Sequence, residues 1–268
     1  MRKMSLAHFT VMDAPPGELV SIAAQAGFDA VGLRIEPPLP TDLVVPVVGQ
    51  PRLIQTIRRQ VADTGVPVLD IEAFWIQEHT DVGRWRPALE VGVELGAKHV
   101  LVVGHDPDRG RLVQSFAQLC SLCADYGLRP MLEFIPYAQI GTLATAVALI
   151  GDAGATNSGV LVDSIHLSRS GGNPGDLAEY DPGLFSYAHI NDVPSTPPAR
   201  DELRVEARGR RLYPGDGELW LTDYVAALPK DAPLAIEAPS ERYASLSTHE
   251  RAALAAKKMR ALLQAAEG

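Results

Sequence analysis

Four residues that can bind a metal ion stand near the ends of apolar stretches in the second half of the chain. They are Glu133 in MLEFIP, Asp163 in VLVDSIH, His189 in YAHIND and Glu237 in LAIEAP. Each stretch predicts a buried strand, and burying an unpaired carboxylate in such a place is costly. Three carboxylates that share one place also repel one another unless a cation lies between them. The four residues therefore predict a binding site for one divalent metal ion.

The donor types indicate which ion would bind and what it would do. Three carboxylates and one imidazole favour a fairly hard divalent ion with open positions for substrate oxygens. Mn²⁺ or Mg²⁺ fits this set best, and Zn²⁺ or Co²⁺ could bind in the same place. Such an ion stabilises the charge that develops when a proton next to a carbonyl is removed. The alternative is that each carboxylate forms a separate structural ion pair.

The elements that must position these residues follow a regular alternation of strand and helix. The predicted strands cover 6–11, 29–35, 66–74, 98–104, 129–135, 159–165, 185–191 and 233–239. Several of the helical segments between them end in Gly, as in AQAGFDA and ADTGVPV, which is typical of a helix followed by a strand. Eight such units in 268 residues predict a single-domain α/β protein, a (β/α)8 TIM barrel over 1–268. The four ligands would then meet at the carboxyl ends of strands five to eight, where barrel enzymes have their active sites.

A doubly wound open sheet is the alternative α/β fold. That fold typically carries a Gly-rich phosphate loop after its first strand. The corresponding segment here, TVMDAPPGEL, has no G-x-G-x-x-G pattern. No Pro/Ser-rich linker or block of charge divides the chain, so the barrel is favoured.

Composition excludes several function classes. The chain has 24 basic and 33 acidic residues, a net charge of −9, whereas nucleic-acid binding uses a basic face. No stretch approaches the ~18 uninterrupted apolar residues of a membrane span, and no long apolar segment follows the amino terminus. Cys120 and Cys123 lie within an apolar-periodic helix, which favours packing over a redox role. We therefore expect a cytoplasmic protein with neither nucleic acid nor membrane as a partner.

The motifs around the four ligands resemble those of the sugar phosphate isomerase/epimerase family, which has the xylose isomerase-like barrel. They are E-F at strand five, D-x-x-H at strand six, H-x-N-D at strand seven, R-x-x-P-G-D-G in the next loop and I-E at strand eight. The resemblance covers essentially the whole chain and implies that the four ligands bind one divalent ion. It also implies that His166 and Arg211 bind substrate oxygens. Glu133 and Glu237 would flank the reacting carbon, one removing a proton and the other returning it.

The family contains enzymes of more than one reaction type. It includes ketose 3-epimerases, inosose isomerases and dehydratases, hydroxypyruvate isomerase and 3-dehydroshikimate dehydratase. We expect an isomerase or epimerase acting on a small polyhydroxylated substrate: a sugar, a sugar acid or a cyclitol. The second hypothesis is a lyase that dehydrates a 3-keto or 3-dehydro substrate. A metal-dependent endonuclease of the same superfamily would need further histidines and a basic groove, which the acidic chain disfavours. The resemblance is also compatible with a homodimer.

Other polar residues are expected near the mouth of the barrel. Arg169, in the Gly-rich HLSRSGGNPGD, could clamp a carboxylate or phosphate together with Arg211. Early strands end in polar residues on the presumed inner face, and among these Glu72 and His105 are expected to contact substrate. Asp192 either orients the imidazole of the histidine ligand or faces solvent.

Overall fold

Eight parallel strands close into a barrel in the computed structural model, which describes residues 2–38, 42 and 44–267. The strands are β1 (Met4–Ala7), β2 (Ala30–Arg34), β3 (Val68–Ile76), β4 (His99–Gly104), β5 (Arg129–Glu133), β6 (Gly159–Asp163), β7 (Ala188–Ile190) and β8 (Leu234–Ile236). Each strand pairs with the next in the chain, and β1 pairs with β8 to close the sheet. The (β/α)8 barrel predicted from the sequence is confirmed.

Helices follow the strands along the chain. They are α1 (Pro16–Ala26), α2 (Pro51–Thr64), α3 (Arg86–Glu94), α4 (Arg109–Asp125), α5 (Leu143–Ala153), α6 (Ser164–Arg169), α7 (Leu203–Gly209), α8 (Leu221–Ala227) and α9 (Thr248–Glu267). The main hydrophobic core combines strand residues such as Leu33 and Leu132 with helix residues such as Ile57 and Leu119. Within the described ranges, no helix has both the length and the apolar character that crossing a membrane requires.

The local sequence explains where the first helices begin and end. Both α1 and α2 begin at a Pro, a residue whose fixed φ suits the first turn of a helix. Both are followed by a Gly in the left-handed conformation, Gly27 with φ 83° and Gly65 with φ 71°. Residues with a Cβ rarely adopt this conformation, so the Gly ends the helix and turns the chain toward the next strand.

The observed first strand differs from the predicted one. The prediction was 6–11, whereas β1 covers Met4–Ala7 and His8–Val11 form a 3₁₀ helix. The Thr10 hydroxyl donates a hydrogen bond to the Ile236 carbonyl and accepts one from the Ala238 amide. These bonds hold the turn over the end of the strand.

Several later strands are also shorter than predicted. Strand β6 ends at Asp163 rather than at residue 165, because α6 begins immediately afterwards. The Asp163 carboxylate accepts the Ile165 amide and caps this helix. The sequence-based prediction continued the strand through the apolar Ile165, because the only local sign that the strand ends is the helix-capping Asp163 itself.

The inside of the barrel has an apolar half and a polar half. Side chains of alternate strand residues point inward. On β4, β5 and β6 they form a small apolar core that includes Leu101, Met131 and Leu161. On β1 and β3 they include the buried polar residues Ser5 and Asp70.

We expect Gly159→Ala to destabilise the protein, because Gly159 begins β6 in a tightly packed position. A Cβ there would lie 2.5 Å from the backbone oxygen of Leu184. Such overpacking costs about 1–3 kcal/mol of folding stability. The melting temperature should fall by roughly 2–4 °C for each kcal/mol that is lost. Thermal unfolding followed by circular dichroism measures the change.

Gly151→Ala is the matched control, because Gly151 lies in α5 and a Cβ there would meet no atom within 4 Å. Replacing a helical Gly by Ala is expected to leave stability unchanged or raise it by up to about 1 kcal/mol. An equal melting temperature for the two variants would contradict the close packing at Gly159.

Candidate metal centre

The four predicted ligands come together at the carboxyl ends of β5 to β8. Glu133 and Asp163 are the last residues of their strands, His189 is central in β7 and Glu237 directly follows β8. All four are buried, and one ligand atom from each lies within 4.8 Å of the others. The alternation of strand side chains thus directs four residues, up to 104 positions apart in the chain, into one cluster.

The distances within this cluster suit a common ion. His189 Nδ1 lies 3.7 Å from Glu133 Oε1, 3.8 Å from Asp163 Oδ2 and 3.5 Å from Glu237 Oε2. Donor atoms bound at about 2.0–2.2 Å to one ion stand roughly 3–3.5 Å from one another. The observed spacing is close to that range.

Several ligand atoms are also unpaired. Among the described residues, His189 Nε2 and Glu133 Oε1 have no hydrogen-bond partner, and His189 Nδ1 has only the long 3.5 Å contact with Glu237 Oε2. Buried polar atoms almost always have a partner in native proteins. A cation bound between these atoms provides one, so the residues present fit a divalent metal ion.

Arg211 lies against the same cluster. Its Nη1 is 2.7 Å from Asp163 Oδ2 and 2.9 Å from Glu237 Oε2. One guanidinium balances one of three carboxylate charges, and each carboxylate oxygen has a second lone pair for a further partner. Structural ion pairing therefore accounts for only part of the charge.

Asn191 holds one of the ligands in place. Its side-chain amide donates to both oxygens of Asp163, at 2.8 and 3.1 Å, and to the Glu237 carbonyl at 3.1 Å. Asn191 is fully buried. The sequence analysis included this residue in the H-x-N-D motif without giving it a role, although an amide inside a buried strand motif signals a hydrogen-bonding function.

Burial and mutual charge separate the pKa values of the cluster. Burial raises the pKa of Glu133 well above its ordinary value, and the charge of Glu237 raises it further. Burial opposes ionisation of Glu237 too, but His189 and Arg211 hold the pKa of that carboxyl well below its usual range. Burial alone would lower the pKa of His189, yet the surrounding carboxylates raise it to about 10. Without metal, a proton on His189 therefore neutralises part of the carboxylate charge.

A small, partly open cavity of about 40 Å³ lies beside the cluster. Its polar lining contains Glu133, Glu237, His166 and Arg211. His166 is buried, and this burial lowers its pKa to about 4. It is thus a neutral hydrogen-bonding group at neutral pH.

Other parts of the cavity lining come from both halves of the barrel. The aromatic side chains Phe9, Trp75 and Tyr137 contribute to its walls. Arg34 and Arg208 also line it, and both guanidinium groups lie over the ring of Phe9, at 4.2 and 5.7 Å from its centroid. The mouth therefore carries positive as well as negative groups.

Arg169 does not line this cavity, although the sequence-based prediction places it there as an anion clamp. Its guanidinium is buried and forms two hydrogen bonds of 2.8 Å with the Glu206 carboxylate. It also donates to the Pro194 carbonyl at 2.8 Å. Arg169 instead ties α6 to the loop after β7 and to α7.

Glu72 and His105 lie near the cavity without lining it. Glu72 is fully buried and accepts a 2.8 Å hydrogen bond from Arg34, whose Nη2 is 3.6 Å from Glu237 Oε1. Glu72 therefore contacts the site through Arg34. His105 packs edge-on against Trp75 with ring centroids 5.5 Å apart. The structure places both residues one layer away from the predicted substrate contact.

Asp192 organises a loop. Its carboxylate accepts the backbone amides of Gly215, Gly217 and Leu219 at 2.9–3.0 Å. These contacts fix the loop that carries the P-G-D-G motif. The Asp192 side chain therefore binds this loop, whereas the sequence predicts that it either orients the imidazole of the histidine ligand or faces solvent.

Comparison with known proteins identifies the family. A sequence model described as the xylose isomerase-like TIM barrel matches residues 20–265. The chain belongs to this family. The match agrees with the observed barrel and with the resemblance seen in the motifs.

Two curated enzymes and one solved structure show the range of relatives. The chain is 28% identical over 264 residues to a 3-dehydroshikimate dehydratase of Pseudomonas aeruginosa, a match that covers 92% of this chain and 40% of that protein. It is 24% identical over 157 residues to an inosose isomerase of Bacillus velezensis, covering 55% and 54%. A crystal structure of the protein IOLI with a bound zinc atom has a TM-score of 0.78 and 18% identity, covering 97% of both chains. The chain spans less than two thirds of the length of either curated relative.

We expect Asn191→Ala to weaken metal binding, because Asp163 would lose the amide that fixes its orientation. Removing such a supporting hydrogen bond typically costs 10–100-fold in metal affinity. Calorimetric titration of the metal-free protein with Mn²⁺ measures the loss. Asn157→Ala is the control, since the Asn157 amide donates to the Cys120 carbonyl away from the cluster. Equal affinity in the two variants would remove Asn191 from the metal centre.

Metal binding should release protons at neutral pH. The pKa of His189 in the metal-free protein is raised to about 10. The imidazole is therefore protonated at neutral pH and stabilises the folded, metal-free protein there, and this stabilisation is lost as the pH rises through about 10. A metal ion must displace this proton, so Mn²⁺ affinity should rise between about pH 7 and pH 10. Calorimetry in two buffers of different ionisation enthalpy counts the protons. A binding heat that does not depend on the buffer would contradict the expectation.

Proposed function

We propose that the protein is a divalent-metal-dependent isomerase or epimerase that transfers a proton next to the carbonyl of a sugar, sugar acid or cyclitol. The observation that carries the proposal is that Glu133 and Glu237 belong to the metal cluster and also line one small cavity. They come from β5 and β8, which are separated by two strands around the barrel. The cavity is therefore flanked by two carboxyl groups that can reach a substrate from different sides.

This arrangement matches the needs of epimerisation. A bound divalent ion would act as a Lewis acid that stabilises the negative charge developing on the substrate carbonyl oxygen. Inversion at carbon requires one group to remove the proton from one face and another to return it to the opposite face. Each group must come within about 3 Å of the proton that it transfers. An isomerase could use one of the two glutamates to move the proton between adjacent carbons.

The residues around the two glutamates support a small polyhydroxylated substrate. His166 and Arg211 offer a neutral imidazole and a guanidinium to substrate oxygens, as the family resemblance implies. We propose Mn²⁺ or Mg²⁺ as the ion, with Zn²⁺ or Co²⁺ as alternatives, and the zinc bound by the IOLI protein supports a site of this kind.

A lyase is the second candidate, and a specific observation favours it. Arg34 and Arg208 line the cavity next to Phe9, and guanidinium groups bind carboxylates well. The dehydratase relative, whose match covers 92% of the chain, supports a dehydration reaction. One glutamate would then remove the proton, and the other would protonate the departing β-hydroxyl group.

The deciding experiment is incubation of the metal-reconstituted protein in D₂O with a panel of ketoses, inososes and 3-dehydro acids. Deuterium in the recovered substrate or its isomer, measured by NMR, supports the isomerase or epimerase. Loss of water with a new conjugated ultraviolet band supports the lyase. If no member of the panel gives either result, the proposal of proton transfer next to a carbonyl is contradicted.

We expect Glu133→Gln and Glu237→Gln to reduce kcat by 10²–10⁴-fold at saturating metal, because each removes a proton-transfer group. The loss of turnover should far exceed any loss of folding stability, since Gln keeps the volume and an acceptor oxygen for Arg211. Steady-state kinetics and thermal unfolding separate the two effects. Glu94→Gln is the control, because the exposed Glu94 pairs only with Arg58 in the described contacts and should change neither property. Unchanged turnover in either active-site variant would remove that glutamate from the mechanism.

A further inference from the structure

The polar half of the barrel interior contains several buried groups that the proposed chemistry does not use. In the part of the chain that the structure describes, both carboxylate oxygens of Asp70, the hydroxyls of Ser5 and Tyr187 and Glu72 Oε1 are buried without a hydrogen-bond partner. An unpaired buried polar atom is costly to the fold. Such a concentration of them inside one barrel indicates a function.

The histidine ligand, His189, has a ring nitrogen that lacks a hydrogen-bond acceptor. Its Nδ1 faces the three carboxylates, so Nε2, on the other side of the five-membered ring, points away from the ion. Nε2 is also buried without a partner among the described residues. When Nδ1 binds a metal ion, Nε2 carries the hydrogen and requires an acceptor, and that acceptor sets the orientation of the ring.

Asp70 is the carboxylate best placed to be this acceptor. It lies on β3, two residues before Glu72, and therefore on the same inner face. It occupies the space that Gly32 leaves on the neighbouring strand, where a Cβ would lie 2.8 Å from Asp70 Oδ1. Asp70 is 1% exposed.

Tyr187 connects the two groups spatially. Its ring packs edge-on against His189 with centroids 5.7 Å apart, and its other face stacks on His99 of β4 at 5.0 Å. After burial, the charge of Asp70 is the next cause that raises the pKa of Tyr187. Burial and the charge of Glu72 raise the pKa of Asp70 to about 8, whereas the charge of His189 and the nearby Tyr187 hydroxyl lower it. Asp70, Tyr187 and His189 are thus electrostatic neighbours below the metal centre.

We propose that Asp70 is a positioning residue that accepts the Nε2 hydrogen of His189, directly or through one bridging water, and so fixes the imidazole toward the metal ion. This inference rests on the metal site of the proposed function. Glu72 is the other carboxylate in this part of the barrel, but Arg34 engages its Oε2 at 2.8 Å and leaves only Oε1 unpaired, whereas both oxygens of Asp70 are unpaired. The Asp70 carboxyl group offers two acceptor oxygens, whereas the hydroxyls of Ser5 and Tyr187 offer one each.

The test compares Asp70→Leu and Asp70→Asn with the wild-type protein. In the full-length, metal-free chain, Mn²⁺ affinity is measured by calorimetry and Co²⁺ binding by visible absorption. Asp70→Leu should weaken Mn²⁺ binding 10–100-fold and alter the Co²⁺ spectrum. Asp70→Asn keeps the volume and one acceptor oxygen, so it should recover part of the lost affinity.

Stability distinguishes positioning from a structural role. Replacing a buried, unpaired carboxylate by Leu should leave the melting temperature of the metal-free protein unchanged or raise it. A structural role predicts the reverse, a lower melting temperature with unchanged metal affinity, and that result would overturn the inference. Val103→Ala is the control, because Val103 faces the same interior from β4. It should lower the melting temperature and leave Mn²⁺ affinity unchanged.

Two further results separate the possible failures. If the wild-type protein binds neither Mn²⁺ nor Co²⁺, the proposed function fails and the inference fails with it. If the wild-type protein binds metal and Asp70→Leu binds it equally well, only the inference is overturned. A loss of affinity in Tyr187→Phe with none in Asp70→Leu would assign the contact to the tyrosine hydroxyl and would also overturn it.

Discussion

The structure depends on the burial of three carboxylates and one imidazole within 4.8 Å of one another at the mouth of the barrel. Burial leaves little room for water to stabilise these charges, and the Arg211 guanidinium balances only part of them. Burial and the charge of Glu237 raise the pKa of Glu133, the carboxylates raise the pKa of His189, and His189 and Arg211 lower the pKa of Glu237. A divalent cation resolves this conflict, and it also provides the Lewis acid that proton transfer next to a carbonyl requires.

The barrel makes this arrangement possible by dividing its interior. The apolar side chains of β4 to β6 supply packing, whereas β1 to β3 bring polar side chains beneath and beside the metal centre. Arg34 contacts the cluster from that side and is itself held by Glu72, and Asn191, directly after β7, holds Asp163. Burying these polar groups lowers the folding stability, and the packing of the rest of the fold compensates for it. This is common where function requires a charged interior.

The fold and the ligands could be predicted because both leave local signals. Apolar runs that alternate with helical segments identify the barrel, and a charge at the end of an apolar run identifies a ligand such as Asp163. What could not be predicted depends on contacts between distant segments. Arg169 is the last residue of α6, and its partner Glu206, 37 residues further along the chain, directs its side chain away from the cavity. Asp70 resembles any strand residue until barrel closure places it in the interior.

The central claim is that one cation lies among these four side chains. Anomalous diffraction from crystals of the protein soaked in MnCl₂, collected on the low- and high-energy sides of the manganese absorption edge, tests it most directly. The account predicts a single strong peak, present only above the edge, within bonding distance of His189 Nδ1 and of an oxygen from each of Glu133, Asp163 and Glu237. A map without a peak at that position, with the carboxylates bound only by Arg211 and other basic side chains, would contradict it.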